Sequence, residues 1–235
     1  MQRIKEVNGV VLIDRRADAR VLSAVGEYAA LQPSACTDPR LSGHADLRMT
    51  LIDGVLAVSP GDYAFVRSIS GLAVRVVRGS ADPSNVYPYD IPYNALCAGG
   101  RLFCLAAHTD PEVLRVAQAL GKKIVDVRQG YAKCSGIPVG SNGLITSDAG
   151  IARAARQEGL DVLSVSNEGV ALDGYDTGFI GGAGVCFGDR ILFTGDLSVH
   201  PDFERICAFC RRFGVGIEYI KGMKLYDYGS PIALF

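Results

Sequence analysis

The chain has 235 residues, with 24 Lys and Arg against 25 Asp and Glu and a formal charge of −1. Near neutrality without a basic block argues against phosphate-driven nucleic-acid binding, and no run of about 18 apolar residues is present to span a membrane. Seven cysteines are scattered without a tight framework, which fits reduced thiols in a cytoplasmic protein, and the opening MQRIKEVNGVVLIDRR is too short in its apolar patch and too charged for a secretion signal.

Five apolar runs, each introduced by Gly or Asp and followed by a helical pattern, begin at Gly9, Gly54, Gly100, Gly143 and Asp189, 43 to 46 residues apart. Self-similarity at a fixed period marks a repeat architecture. In each period the β-run leads into Asp, Ser or Pro, residues that cap or open a helix. The third period shows this best. Asp110 caps and Pro111 sits in the first turn; Val113, Leu114, Val116, Ala117 and Leu120 form one apolar face, and Gly121 ends the helix.

A second β-run follows the helix at 72–77, 122–127, 161–166 and 216–220, and a further strand precedes the Gly-led run at 43–52, 91–98, 130–139 and 174–187. The unit is therefore β-β-α-β. The first unit lacks its opening strand, and the closing LYDYGSPIALF has the character to supply it by pairing with residues 4–14. Burial of Ile232, Leu234 and Phe235 there would contribute roughly 1.5–3 kcal/mol each. The expected fold is α/β: one domain of five pseudo-symmetric units closed into a ring by its two terminal strands. The units are 226–235 with 1–42, then 43–90, 91–129, 130–173 and 174–225.

Five β-β-α-β units sealed by the chain termini resemble the pentein fold, an α/β propeller, of the guanidino-group-modifying superfamily: arginine deiminases, dimethylarginine hydrolases and amidinotransferases. The resemblance covers the whole chain through architecture and little of it through motifs. In LDGYDTGFIGG, Asp176, Thr177 and Phe179 match the family's H-x-D-T-x-F stretch, with Gly174 where that stretch has His. The resemblance implies a catalytic Cys near the end of the terminal strand, where YGSPIALF carries Gly229 and Ser230 instead. It implies hydrolysis or transfer at a guanidino or amidino carbon, in a divergent member.

Strand alternation then nominates channel-facing residues, if the apolar parity of each first strand is given to the core. The polar parity is His44, Asp46 and Arg48 in unit two, Asn94 in unit three, Cys134 in unit four, Asp176 in unit five and Asp227 on the closing strand. This set suits guanidine chemistry. Cys134 is the candidate nucleophile, and His44 with Asp46 the acid–base pair. Asp176, Asp227, Asn94 and Arg48 are candidate substrate-binding residues, since carboxylates grip a planar cation through paired charge-assisted bonds.

Three readings follow. The first is a Cys-dependent hydrolase or transferase acting on a small guanidino or amidino compound, needing no cofactor. The second is a non-catalytic binding module for a small ligand or protein partner, favoured by the displaced Cys and His. The third is a metal site of His44, Asp46, Asp176 and Asp227. Cys207 and Cys210 form a C-x-x-C inside a helical pattern without a second pair, so zinc binding is not expected of them. His108 and His200 precede helix starts and read as capping or solvated residues.

Overall fold

The computed structural model describes residues 9–235. Its strands and α-helices run in chain order as β1 (Val10–Asp14), α1 (Ala19–Val25), β2 (Tyr28–Leu31), β3 (Met49–Ile52), β4 (Val55–Val58), α2 (Pro60–Ser68) and β5 (Arg75–Arg78). Then come β6 (Leu96–Ala98), β7 (Arg101–Cys104), α3 (Pro111–Ala119), β8 (Lys123–Asp126), β9 (Gly136–Val139), β10 (Gly143–Thr146), α4 (Ala149–Gln157) and β11 (Asp161–Ser164). The last are β12 (Gly184–Cys186), β13 (Arg190–Phe193), α5 (Phe203–Arg212), β14 (Gly216–Tyr219) and β15 (Ile232–Leu234).

These strands make five three-stranded sheets, β15-β1-β2, β3-β4-β5, β6-β7-β8, β9-β10-β11 and β12-β13-β14. In each, the first pair is antiparallel and the second parallel, with the unit's helix as the crossover. The capping residues act as their chemistry dictates. Asp110 accepts from the Glu112 N–H at the start of α3, and Gly121 takes φ 69° after its end. Asp148 accepts from the Ile151 N–H at α4.

The terminal strand completes the first unit. β15 pairs antiparallel with β1, with Val10 opposite Leu234, Val11 opposite Ala233 and Leu12 opposite Ile232. Residues 4–8 of the expected pairing segment lie outside the described residues. Ile232 and Leu234 are buried, but Phe235 is 45% exposed. It lies beyond the last strand residue, its ring 6.1 Å from that of Phe187, so its expected burial is corrected.

The first strand of each later unit is shorter than its sequence span. Only 49–52, 96–98, 136–139 and 184–186 pair, and the preceding residues are turns, with one turn of 3-10 helix at Ala45–Leu47. The parity rule also takes a different form. Along β1, Val10 and Leu12 enter a core with Met49 and Leu56 of unit two, while Val11 and Ile13 enter a core with Val185 and Leu192 of unit five. On β15, Ile232 and Leu234 go to the first of these cores and Ala233 to the second. Three further cores join units two and three, three and four, and four and five in the same way. The middle strand of each sheet is thus covered on both faces by two neighbours, which is why it reads as a continuous apolar run, while the third strands Arg75–Arg78, Lys123–Asp126 and Asp161–Ser164 are half-exposed. Odd and even residues of β1 and β15 enter two cores, one with each neighbouring unit.

Candidate functional site

The polar candidates stand on the turns that lead into the first strands. These turns are stitched to one another. The Asp46 N–H donates to Gly229 O (3.2 Å), and Tyr228 N–H and Ser230 N–H both donate to Gly182 O (3.0 and 3.2 Å). Gly182 N–H donates to Cys134 O (3.1 Å). Asn94 Oδ1 accepts from Lys133 N–H (2.7 Å) and Cys134 N–H (3.4 Å), and the Thr50 hydroxyl donates to Tyr93 O. The sequence of contacts runs from unit two through the closing turn to units five, four and three, and back to two.

Glycine is required at two of these positions. A Cβ at Gly229, whose φ is 71°, would lie 2.2 Å from His44 Cβ. One at Gly182 would lie 1.8 Å from Asp227 Oδ1. Backbone therefore comes directly against the two side chains, leaving room for nothing larger.

Five candidates converge. Cys134 Sγ donates to Asp46 Oδ2 at 2.8 Å and accepts from Asn94 Nδ2 at 3.1 Å. Asp227 accepts from Phe179 N–H (2.9 Å) and Gly229 N–H (2.8 Å). His44, Cys134 and Asp227 line one cavity of about 260 Å³, together with Tyr131, Thr177 and Phe179. Asp46 is fully buried, and its Oδ1 has no hydrogen-bond partner. Asp46 itself does not line this cavity and reaches it only through the Cys134 thiol; burying its Oδ1 unpaired is costly. His44 also lines a larger outer basin of about 560 Å³ with Arg16, Arg40, Asp173 and Tyr226. It stands between the basin and the inner cavity.

The electrostatics are acidic. Burial pushes the Cys134 thiol well above its usual value, and the charges of Asp46 and Asp227 push it further; only the Asn94 amide opposes them. Burial likewise raises Asp227, against the pull of His44. The thiol is a proton donor to a carboxylate here, not a standing thiolate.

Two candidates lie elsewhere. Arg48 is buried with its guanidinium on Asp62, Nε to Oδ2 at 2.7 Å, and with Nη1 on Gln32 O at 2.7 Å. It ties a loop to α2 and does not line the thiol cavity. Asp176 is exposed and also absent from that lining, although its neighbours Tyr175 and Thr177 belong to it. Its side chain stays in solvent at a turn, where charge is best hydrated. Among the described residues, no three His, Cys, Asp or Glu side chains are grouped to hold a metal ion, which removes the support for the metal reading. His200 is buried; its Nδ1 accepts from Asp202 N–H at 3.0 Å.

Sequence reasoning missed the wall. Tyr131 lines the cavity and donates its hydroxyl to Asp90 Oδ2 at 2.5 Å. Its ring is 6.1 Å from Phe179. The one signal was its position three residues before Cys134, at the start of the same turn. Leu41, Leu47 and Leu172 complete the apolar lining and carry no mark that separates them from core leucines.

Residues 12–232 match the model of a family described as "Family of unknown function (DUF6873)". No curated protein matches the sequence. Among solved structures, the fold is similar to DDAH from Pseudomonas aeruginosa, a Cys-to-Ser mutant complexed with citrulline. The TM-score is 0.57 at 10% identity, over 91% of this chain and 85% of that one. A dimethylarginine dimethylaminohydrolase His-to-Gly variant, as its adduct with S-methyl-L-thiocitrulline, matches with the same score, identity and coverage. At this identity the likeness establishes a shared fold. All seven cysteines are free, and no helix among the described residues is long and apolar enough to cross a membrane.

Proposed function

Because the chain belongs to the DUF6873 family and shares the fold of dimethylarginine dimethylaminohydrolase, we propose that it is a divergent guanidino- or amidino-group hydrolase. Its five units form a ring closed by β1 and β15, its nucleophile is Cys134, and it works in the cytoplasm. The observation that carries the reading is the Cys134 thiol hydrogen-bonded to Asp46 at 2.8 Å, beside Asp227 and in a cavity with His44.

The apolar wall of Tyr131, Phe179 and leucines excludes water, and the two aspartates supply the negative charge. A planar cation fits that combination through paired N–H donation to carboxylates. Asp227, which lines the cavity, is the acceptor for its N–H groups, with the Asp46 charge behind the thiol. Entry of the cation offsets the two carboxylates that hold the thiol up, so ionisation of Cys134 is coupled to binding.

In the reaction, the Cys134 proton passes to Asp46 Oδ2 and sulfur bonds to the amidino carbon. The C–N bond then breaks with its electron pair on nitrogen, and His44 donates a proton to the leaving amine. Water gives a proton to His44 as it adds to the carbon of the S-amidino intermediate. The C–S bond breaks, sulfur recovers its proton from Asp46, and the proton left on the ureido oxygen passes to the released amine. The net change for a terminal nitrogen is guanidinium plus water to a ureido group plus ammonium.

One observation favours binding without turnover: no hydrogen bond joins His44 to Cys134 among the described residues, and the thiol is 4% exposed. One experiment separates the readings. Chloroacetamidine should alkylate Cys134 selectively in peptide mass spectra, and release of amine from a panel of guanidino compounds should vanish in Cys134→Ala. Labelling spread over all seven thiols, or turnover that survives Cys134→Ala, would sink the enzyme reading. Cation binding with no turnover by the unmodified chain would support the binding module.

A further inference from the structure

Lys133 and Cys134 are adjacent but serve different cavities. Cys134 lines the acidic cavity, whereas Lys133 lines a second one of about 140 Å³, and the two share no lining residue. All five first strands contribute to this second cavity, among them Thr50 of β3, Cys97 of β6, Pro138 of β9, Cys186 of β12 and Ile232 of β15. No Asp or Glu is in its wall. The Lys133 backbone N–H donates to Asn94 Oδ1 at 2.7 Å, the same side chain whose amide supports the thiol.

Lys122 and Lys123 pair with Asp53 and Glu158, but Lys133 pairs with no carboxylate among the described residues. Its charge acts on the Cys186 thiol, opposing the upward push of burial there. The cavity therefore combines one uncompensated ammonium with a wall of aliphatic carbon and two thiols. Such a wall rejects a guanidinium, since the only formal charge in it is positive. One point cation without a fork of further donors is also a poor match for phosphate.

We propose that this cavity is a second ligand site, specific for a short aliphatic monocarboxylate whose carboxylate meets Lys133 Nζ and whose chain lies against Ile232 and Pro138. A cavity of about 140 Å³ is close in size to one that admits a benzene-sized guest, which suits an acid of about four to six carbons. The site is independent of the guanidino reading, because its charge preference is opposite and its walls are separate.

The probe is 3-methylbutanoate, titrated into the full chain by calorimetry and saturation-transfer NMR. The expected result is saturable binding with contacts along the methyl groups. Affinity should fall at least tenfold in Lys133→Met and at least tenfold for the neutral 3-methylbutanamide. Lys133→Arg, which keeps the charge, should retain binding, and it also tests the site if Lys133→Met does not fold. The proposal is overturned if binding is not saturable up to millimolar acid, if the amide binds as well as the acid, or if removal of the Lys133 charge leaves affinity unchanged. A failure of chloroacetamidine to label Cys134 would bear on the other cavity alone.

Discussion

Cys134 Sγ lies 2.8 Å from Asp46 Oδ2 although 88 residues separate them in the chain. The thiol donates and the carboxylate accepts. Two turns from different units meet there because each precedes a short first strand that its neighbours bury on both faces. This pair makes a sign prediction. Asp46 and Asp227 raise the thiol by their charge, after burial itself, so removing either charge lowers it. In Asp46→Asn, the pH midpoint for alkylation of Cys134 by iodoacetamide should move down relative to the unmodified chain, followed by mass spectrometry of the Cys134 peptide. An unmoved or higher midpoint would contradict the electrostatic account. Exposed Cys36 is the internal control and should not shift.

The buried Arg48–Asp62 pair predicts a stability effect. Both side chains are largely covered, at 6% and 10% exposure, and Arg48 also donates to Gln32 O and Ser42 O. Removing one partner strands the other charge in a low-dielectric site, at a cost of about 3–5 kcal/mol. Urea unfolding of Arg48→Met should show that loss. The double variant with Asp62→Leu should recover part of it, since no unpaired charge remains. Equal losses in the single and double variants would mean that the carbonyl contacts, not the ion pair, carry the effect.

The closing strand predicts a contrast between adjacent residues. Leu234 is 1% exposed and packs in the core shared by units one and two, while Phe235 is 45% exposed. Leu234→Ala should cost about 2–5 kcal/mol in chemical denaturation. Phe235→Ala should stay within about 0.5 kcal/mol, as surface changes usually do. Similar values for both would mean that pairing of β15 with β1 does not hold the first unit together.

His200 predicts a pH dependence. Burial lowers its pKa below the usual histidine value, against weaker upward contributions from Ser166 and two carboxylates. Its Nδ1 accepts from Asp202 N–H at 3.0 Å and its Nε2 faces Ser166 O at 3.2 Å, which fits a neutral ring carrying its proton on Nε2. The unfolded chain, with a value of about 6.5, binds that proton more readily. Stability from this group is therefore present above the unfolded value and lost as pH falls through the folded one. Unfolding free energy of the unmodified chain should drop on acidification below about pH 6.5 more steeply than that of His200→Gln. Parallel curves would remove His200 as the cause.

Sequence patterning by itself determined the repeat, the β-β-α-β order within it, the helix cap at Asp110, and the pairing of the last strand with the first. These are local properties: apolar runs, capping side chains and glycines at positive φ act within a few residues, and a period makes each unit evidence for the next. Tertiary structure alone decided which side chains meet. Because the first and middle strands are packed between two neighbours, alternation along Val10–Asp14 or Ile232–Leu234 sorts residues between two cores and does not single out the thiol cavity. His44, Asp46, Cys134 and Asp227 gather through the turns before the strands, whose direction depends on contacts such as Asp46 N–H to Gly229 O. The same three-dimensional packing turned Arg48 toward Asp62, left Asp176 in solvent, and brought Tyr131 and three leucines to the cavity wall. A turn's path is set by the neighbours that satisfy its backbone and cover its side chains, and those neighbours are distant in sequence.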